Sequence, residues 1–197
     1  MNDNLKMSNY YLADGARMNL KINKFYDYGV YRYSIFANTF YALIADVGPF
    51  LINVDGNNLC KDWILKDGYG LSWGVFLKTD ANLDQLLVHL ESIITVVEEG
   101  GKELFFRYYD PRVLRIFLPT CSPDQLLEFF GPVKYFLCED ENPDNYLKYS
   151  LNDRELIIEK FSVNDIKISD DLTENSINNK IQDKYKLDND LDIDIIV

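Results

Sequence analysis

Four charged side chains lie close together in an otherwise apolar part of the chain, residues 105–118. Arg107 and Asp110 are three residues apart, and so are Arg112 and Arg115. We interpret Arg107 and Asp110 as an ion pair that fixes a corner between a strand and a helix. Arg112 and Arg115 share one helix face, because side chains at i and i+3 are neighbours on a helix. A structural role and a partner-binding role both fit these two arginines, and the enrichment of arginine at interfaces makes them candidate partner contacts.

A catalytic site would have to combine the single histidine, His89, with Cys121 or Asp110. Cys121 precedes a predicted helix, and a helix N-terminus lowers the pKa of a thiol. Cysteine is nevertheless more often a buried packing residue than a nucleophile. One histidine nearly excludes a histidine-based metal site, and neither standard glycine-rich phosphate loop occurs in the sequence. We therefore predict a protein with no enzyme activity, no catalytic residue, no cofactor and no metal.

The residues on either side of Asp110 predict a strand that leads directly into a short helix. The strand is predicted for residues 104–109. Asp110 is the predicted N-cap, whose side chain accepts from backbone N–H groups, and Pro111 occupies the first helical position, where no N–H is missed. Pro119 is predicted to end this helix.

A second short helix is predicted to follow, with its own start and stop signals. Ser122 and Gln125 match a capping box, in which each side chain bonds the backbone N–H of the other residue. Gly131 can take the left-handed conformation at the helix exit, and Pro132 cannot continue the helix. We assign a structural motif to Arg107, Asp110, Pro111, Gly131 and Pro132. Because aromatic residues are enriched at interfaces, we add four candidate partner contacts: Tyr108, Tyr109, Phe129 and Phe130.

The other patterns predict a mixed α/β protein of the α+β class, in two small lobes. Apolar runs bounded by turn residues predict strands. Residues 83–93 carry one apolar stripe at helical spacing, and Gly100-Gly101 predicts a hairpin turn. We therefore expect a largely antiparallel sheet with flanking short helices. The predicted strands are residues 10–13, 50–54, 72–77, 94–98 and 133–138, together with the strand before Asp110, which pairs in the hairpin over residues 103–108.

A polar, acidic break begins at Glu139 and is the best candidate for a domain boundary. We predict one domain over residues 1–138, with an N-terminal lobe at about 1–80 and a motif-bearing part at about 81–138. Residues 139–197 are predicted to be an acidic C-terminal extension that recognises a partner. Within this extension we predict a strand at 156–158, a polar helix at 173–186 and an alternating apolar and acidic terminus.

Composition excludes several classes of function. The formal net charge of −12 argues against nucleic acid and against an anionic membrane as partners. The three cysteines show no paired spacing, which is typical of a protein of the reducing cytosol. The N-terminus does not match a signal peptide, and Asp46, Gly48 and Pro49 interrupt the most apolar stretch. We expect a soluble, cytoplasmic protein.

The stretch Phe-Arg-Tyr-Tyr-Asp-Pro-Arg-Val-Leu, residues 106–114, resembles the signature of a known family. These are the domain-of-unknown-function adaptors that act as type VI secretion effector chaperones. The resemblance covers residues 10–138 in order and spacing. Its other parts are residues 11–16, 48–52, 72–77, 89–90 and 129–133.

This resemblance implies a non-enzymatic cytoplasmic adaptor. Such a protein binds the N-terminal region of a cognate toxic effector, keeps it stable and loads it onto the C-terminal region of the VgrG spike. We expect residues 106–114 to shape the shared lobe and the segment after Glu139 to recognise the particular effector. Two alternatives remain open, an immunity protein that neutralises a toxin domain and a small cysteine hydrolase that uses Cys121.

Overall fold

A seven-stranded sheet forms the centre of the molecule. The computed structural model describes residues 5, 7–97, 100–142 and 144–163. The strand order is β2-β3-β1-β4-β7-β8-β9, and every pairing is antiparallel. The strands of this sheet are β1 Tyr10–Asp14, β2 Arg32–Ser34, β3 Pro49–Asn53, β4 Gly74–Thr79, β7 Val133–Glu139, β8 Asn145–Asn152 and β9 Glu155–Ser162. A separate hairpin pairs β5 Thr95–Val97 with β6 Glu103–Phe105.

In the described part of the chain, five short α-helices flank the sheet, so the predicted α+β class is confirmed. They are α1 Gly15–Met18, α2 Asn58–Gly68, α3 Leu83–Ser92, α4 Pro111–Phe117 and α5 Pro123–Phe130. The described residues also include three 3-10 segments, Asn19–Tyr28, Ala42–Ile44 and Leu118–Thr120.

Both predicted helix starts around the motif are confirmed. The Asp110 side chain accepts from the Arg112 backbone N–H at the start of α4. Ser122 and Gln125 form a complete capping box at the start of α5. The helix α4 ends at Phe117, and Pro119 lies in the 3-10 turn that follows it.

The sheet has a core on each face, because successive side chains of a strand point to opposite sides. Tyr10 and Leu12 of β1 pack in one core, with residues from α3, α4 and α5. Tyr11 and Ala13 pack in the other core, with residues from α2 and the first 3-10 segment. The central strand β1 is therefore buried along its whole length. The two lobes expected from the sequence are two layers of helices that share one sheet.

Gly74 in β4 lies against its neighbour β1, as its type and position predict. A Cβ atom added at Gly74 would lie 1.9 Å from the Leu12 carbonyl oxygen. No side chain fits at this point of the sheet.

The sheet continues past the predicted boundary. β7 runs through Glu139, β8 pairs with β7, and β9 pairs with β8. The strand predicted at 156–158 lies within β9. The boundary between residues 138 and 139 thus falls inside a strand. The predicted helix at 173–186 and the alternating terminus lie outside the described residues.

Candidate partner-binding site

One connected group of charged side chains, which we call the arginine corner, consists of Asp14, Arg107, Asp110 and Arg112. Asp14 ends β1 and is buried, with 1% of its surface exposed. Its carboxylate accepts from Arg107 Nη2 at 2.5 Å and from the Arg17 backbone N–H at 3.1 Å. Arg107 Nη2 lies farther, 3.8 Å, from Asp110 Oδ2. The predicted Arg107–Asp110 pair is therefore present, but the closer partner of Arg107 is Asp14.

Asp110 has two roles in the arginine corner. One is the helix cap described above, and the other is a two-point contact with the Arg112 side chain. Arg112 Nε donates to Oδ1 at 3.0 Å, and Arg112 Nη2 donates to Oδ2 at 2.7 Å. Burial favours a higher pKa for Asp110, but hydrogen bonds from Arg112 and the arginine charges hold its pKa below the ordinary value. Asp110 is therefore a charged carboxylate at neutral pH.

Arg115 lies one turn along α4 and does not join this group. Its Nη1 donates to the Glu139 carbonyl oxygen at 2.8 Å, which ties α4 to the end of β7. The Glu139 carboxylate accepts from the Gly70 N–H, the Ser72 N–H and the Ser72 hydroxyl. Arg115 and Arg112 thus lie on one helix, but each has a partner within the chain.

The loop before β4 is linked to Asp14 of the arginine corner through Arg17, whose backbone N–H bonds Asp14. Arg17 donates to the Leu71 carbonyl oxygen through Nε at 3.0 Å and Nη2 at 2.9 Å. Ser72 has φ +53°, a left-handed conformation that few non-glycine residues adopt. The three hydrogen bonds to Glu139 hold residues 70–72 in this shape. Leu71 is presented at the surface, 44% exposed.

The four predicted aromatic contacts lie in the core, which corrects their predicted role. Tyr108 is fully buried and donates its hydroxyl to the Leu90 carbonyl oxygen at 2.8 Å. Tyr109, Phe129 and Phe130 are also buried, each at most 4% exposed. The reason is that β6 ends at Phe105, three residues before Tyr108, and the chain then turns inward. None of the four can contact a partner in this conformation.

Gly131 and Pro132 connect α5 to the sheet. Gly131 has φ +45°, and an added Cβ atom would lie 2.4 Å from the His89 ring. His89 Nε2 lies 3.0 Å from the Phe129 carbonyl oxygen. The Pro132 carbonyl oxygen accepts from the Thr79 hydroxyl at 2.8 Å. These contacts join α3, α5 and β4 at one point.

The surroundings of His89 and Cys121 suit packing better than catalysis. Burial lowers the pKa of His89, with partial compensation from its hydrogen bond to Phe129. Burial raises the pKa of Cys121, whose Sγ lies 3.4 Å from the Phe117 carbonyl oxygen. A raised thiol pKa opposes formation of the nucleophilic thiolate. Among the described residues, no group of three His, Cys, Asp or Glu side chains is placed to hold a metal ion.

An exposed apolar segment lies between β2 and β3, within the most apolar stretch of the sequence, for which no binding role was predicted. We call its residues Phe40, Leu43, Ile44 and Val47 the apolar loop. Phe40 is 96% exposed, Leu43 is fully exposed, and Ile44 and Val47 are half-exposed. The hydrophobic run was visible in the sequence, but its exposure was not, because an apolar run is normally a core signal.

Aromatic rings support this loop from below. Tyr41 packs on Phe36 and on Phe105 of β6, with ring centroids 5.3 Å and 5.1 Å apart. Phe40 contacts Tyr41 edge-on at 5.8 Å. The apolar loop therefore rests on an ordered aromatic base next to the β5–β6 hairpin.

One known protein family matches more than half of the chain. Residues 9–128 match the family described as a domain of unknown function, DUF4123. The chain belongs to the DUF4123 family. The match includes β1, the apolar loop and the arginine corner, and it ends within α5. No curated protein and no solved structure matches the chain.

The DUF4123 match and the sheet do not end at the same residue. β7, β8 and β9 follow residue 128 and complete the sheet of this DUF4123 protein. In the described part of the chain, no helix has both the length and the apolar character needed to span a bilayer.

Proposed function

We propose that this protein is a cytoplasmic, non-enzymatic adaptor for a type VI secretion effector. It binds the N-terminal region of the effector, stabilises it and loads it onto the C-terminal region of the VgrG spike. The resemblance of residues 106–114 to the adaptor signature supports this proposal, as does membership of the DUF4123 family. The structural observation that carries it is the apolar loop.

The apolar loop fits the binding of an apolar effector segment. Monomeric proteins rarely expose large contiguous apolar patches unless the patch has a function. Complete burial of a side chain such as Phe40 or Leu43 contributes about 1.5–3 kcal/mol. An effector segment that covers both side chains would thus be held firmly, and its own apolar side chains would be kept from aggregating.

We also propose that the acidic segment after Glu139 recognises the particular effector. Its first part forms β8 and β9, and β9 is an edge strand of the sheet in the described part of the chain. Ile157 and Ile158 of β9 are 37% and 46% exposed. These side chains give this edge an apolar character that a particular effector can recognise.

Co-purification from the native host tests the proposal. The tagged protein is expressed at its normal level, and captured proteins are identified by mass spectrometry. The expected result is one large effector together with VgrG. A double variant, Phe40→Ser with Leu43→Ser, is expected to capture at least about tenfold less effector than the control Val88→Ser. The Val88 side chain is 66% exposed on α3.

Two outcomes would contradict the adaptor proposal. Capture of an isolated toxin domain without VgrG would favour an immunity protein. Capture of neither effector nor VgrG would contradict the adaptor proposal as a whole.

A further inference from the structure

The arginine corner has more hydrogen-bond donors than its own carboxylates use. A guanidinium group has five N–H donors in a planar fork. Arg107 donates to Asp14, and Arg112 donates through Nε and one amino group to Asp110. Arg107 Nε is buried without a hydrogen-bond partner in the structure. The pairing of Arg107 is therefore incomplete.

The two guanidinium groups converge on one point and remain accessible. Arg112 Nη2 and Arg107 Nη2 lie 2.7 Å and 3.8 Å from the same oxygen, Asp110 Oδ2. Asp110 and Asp14 are buried behind them. The Arg107 and Arg112 side chains are 39% and 50% exposed. The buried carboxylates therefore fix the position of two cations whose side chains are partly open to solvent.

We propose that the arginine corner binds a carboxylate from an acidic segment of a partner protein, which bridges Arg107 and Arg112 from the solvent side. The planar arginine fork matches carboxylate geometry, and the pre-ordered side chains lose little further entropy on binding.

Charge favours a polypeptide carboxylate over a nucleic acid phosphate. The chain carries a formal net charge of −12, which repels a polyanion with many closely spaced phosphates. One or two carboxylates in a peptide experience far less of this repulsion. This inference names the chemistry of the partner, and it relies on the proposed adaptor function only for the partner's identity.

A direct binding measurement tests the site without a known effector. The probe is a fluorescein-labelled Ser-Ser-Glu-Glu-Ser-Ser peptide, titrated with the full-length protein at low salt and followed by fluorescence anisotropy. Arg112→Gln is expected to weaken binding about tenfold or more, because it removes charge-assisted hydrogen bonds. The matched control is Arg154→Gln, which removes an arginine that is 54% exposed and also paired with an aspartate, Asp124. The control is expected to change the affinity less than about twofold.

A second variant separates binding from folding. Arg107→Lys keeps the charge at this position but removes the planar fork, and thermal unfolding verifies that the protein is folded. It is expected to weaken peptide binding as well.

Three results would overturn the proposal. They are no binding of the Ser-Ser-Glu-Glu-Ser-Ser peptide to the wild type, equal weakening by Arg112→Gln and Arg154→Gln, and tighter binding of a labelled hexathymidylate than of the peptide. None of them bears on the co-purification of effector and VgrG, so the two proposals fail separately.

Discussion

Gly131 illustrates how a single residue joins three elements. Its φ of +45° and its contact with His89 leave no room for a side chain. We predict that Gly131→Ala lowers the free energy of unfolding by about 2–3 kcal/mol, because the alanine is strained at this φ and its Cβ atom clashes with the His89 ring. Denaturant unfolding measures this change. Gly56→Ala is the matched control, because Gly56 also has a positive φ, +64°, but nothing lies near its added Cβ atom. Equal losses in the two variants would show that the contact with His89 carries no cost.

Asp110 makes stability depend on pH on the acid side. Its pKa in the folded state is held below the ordinary value by Arg112 and Arg107, so the folded protein binds this proton less readily than the unfolded chain. The stabilisation is therefore complete above the ordinary aspartate pKa of about 3.9 and is lost as the pH falls through the lower folded value. We predict that Asp110→Asn, which keeps a capping side chain, flattens the dependence of unfolding free energy on pH between about pH 5 and pH 2.

The control for this prediction is Asp124→Asn, which removes a carboxylate that is 87% exposed. An unchanged pH dependence in Asp110→Asn would mean that the pairs with Arg112 and Arg107 do not stabilise the fold.

At the scale of elements, α5 depends on a cap made from its own neighbours in sequence. Ser122 accepts from the Gln125 N–H, and Gln125 Oε1 accepts from the Ser122 N–H. We predict that Ser122→Ala costs about 1 kcal/mol of stability, whereas Ser122→Asp, which keeps an accepting oxygen, costs less than about half of that. Thermal unfolding of the two variants checks the prediction. Equal melting temperatures for Ser122→Ala and the wild type would contradict it.

These local devices explain which parts of the fold were predictable. A capping box spans four residues, so Ser122 and Gln125 define the start of α5 without any tertiary information. The same holds for Asp110 and Pro111 at the start of α4. The partner of Arg107 was not predictable in this way, because Asp14 lies 93 residues away and is brought near by the sheet.

The errors have equally physical causes. Tyr108 and Tyr109 were predicted to bind a partner because their residue types suit an interface, but β6 ends before them and directs both rings into the core. The exposure of Phe40 and Leu43 was not predicted, because an apolar residue type does not determine whether its side chain is buried or exposed. Side-chain direction depends on where strands end and on what packs above them.

At the scale of the whole molecule, the sheet makes residues 145–162 part of the fold. β8 packs Tyr149 into the core and pairs along its length with β7. We predict that a chain ending at Cys138 does not unfold cooperatively, because the loss of β8 and β9 leaves β7 as an uncovered edge and removes part of the core. Circular dichroism during heating measures this. A sharp transition near that of the full-length protein would contradict the prediction.

This dependence also decides how effector recognition by the C-terminal segment is tested. If residues 139–197 were removed, loss of effector binding could result from loss of folding and would not test recognition. Substitution of the exposed Ile157 and Ile158 on β9 leaves β7 and β8 in place and tests recognition by itself.

The most direct test of the adaptor account follows the effector in cells that lack this protein. Quantitative proteomics compares the level of the captured effector, and its co-purification with tagged VgrG, in the wild type, in the deletion strain and in the deletion strain complemented with Phe40→Ser/Leu43→Ser. The account predicts that deletion lowers the effector level and abolishes its association with VgrG, and that the double variant restores neither. An effector that reaches VgrG in normal amounts without this protein would contradict the account.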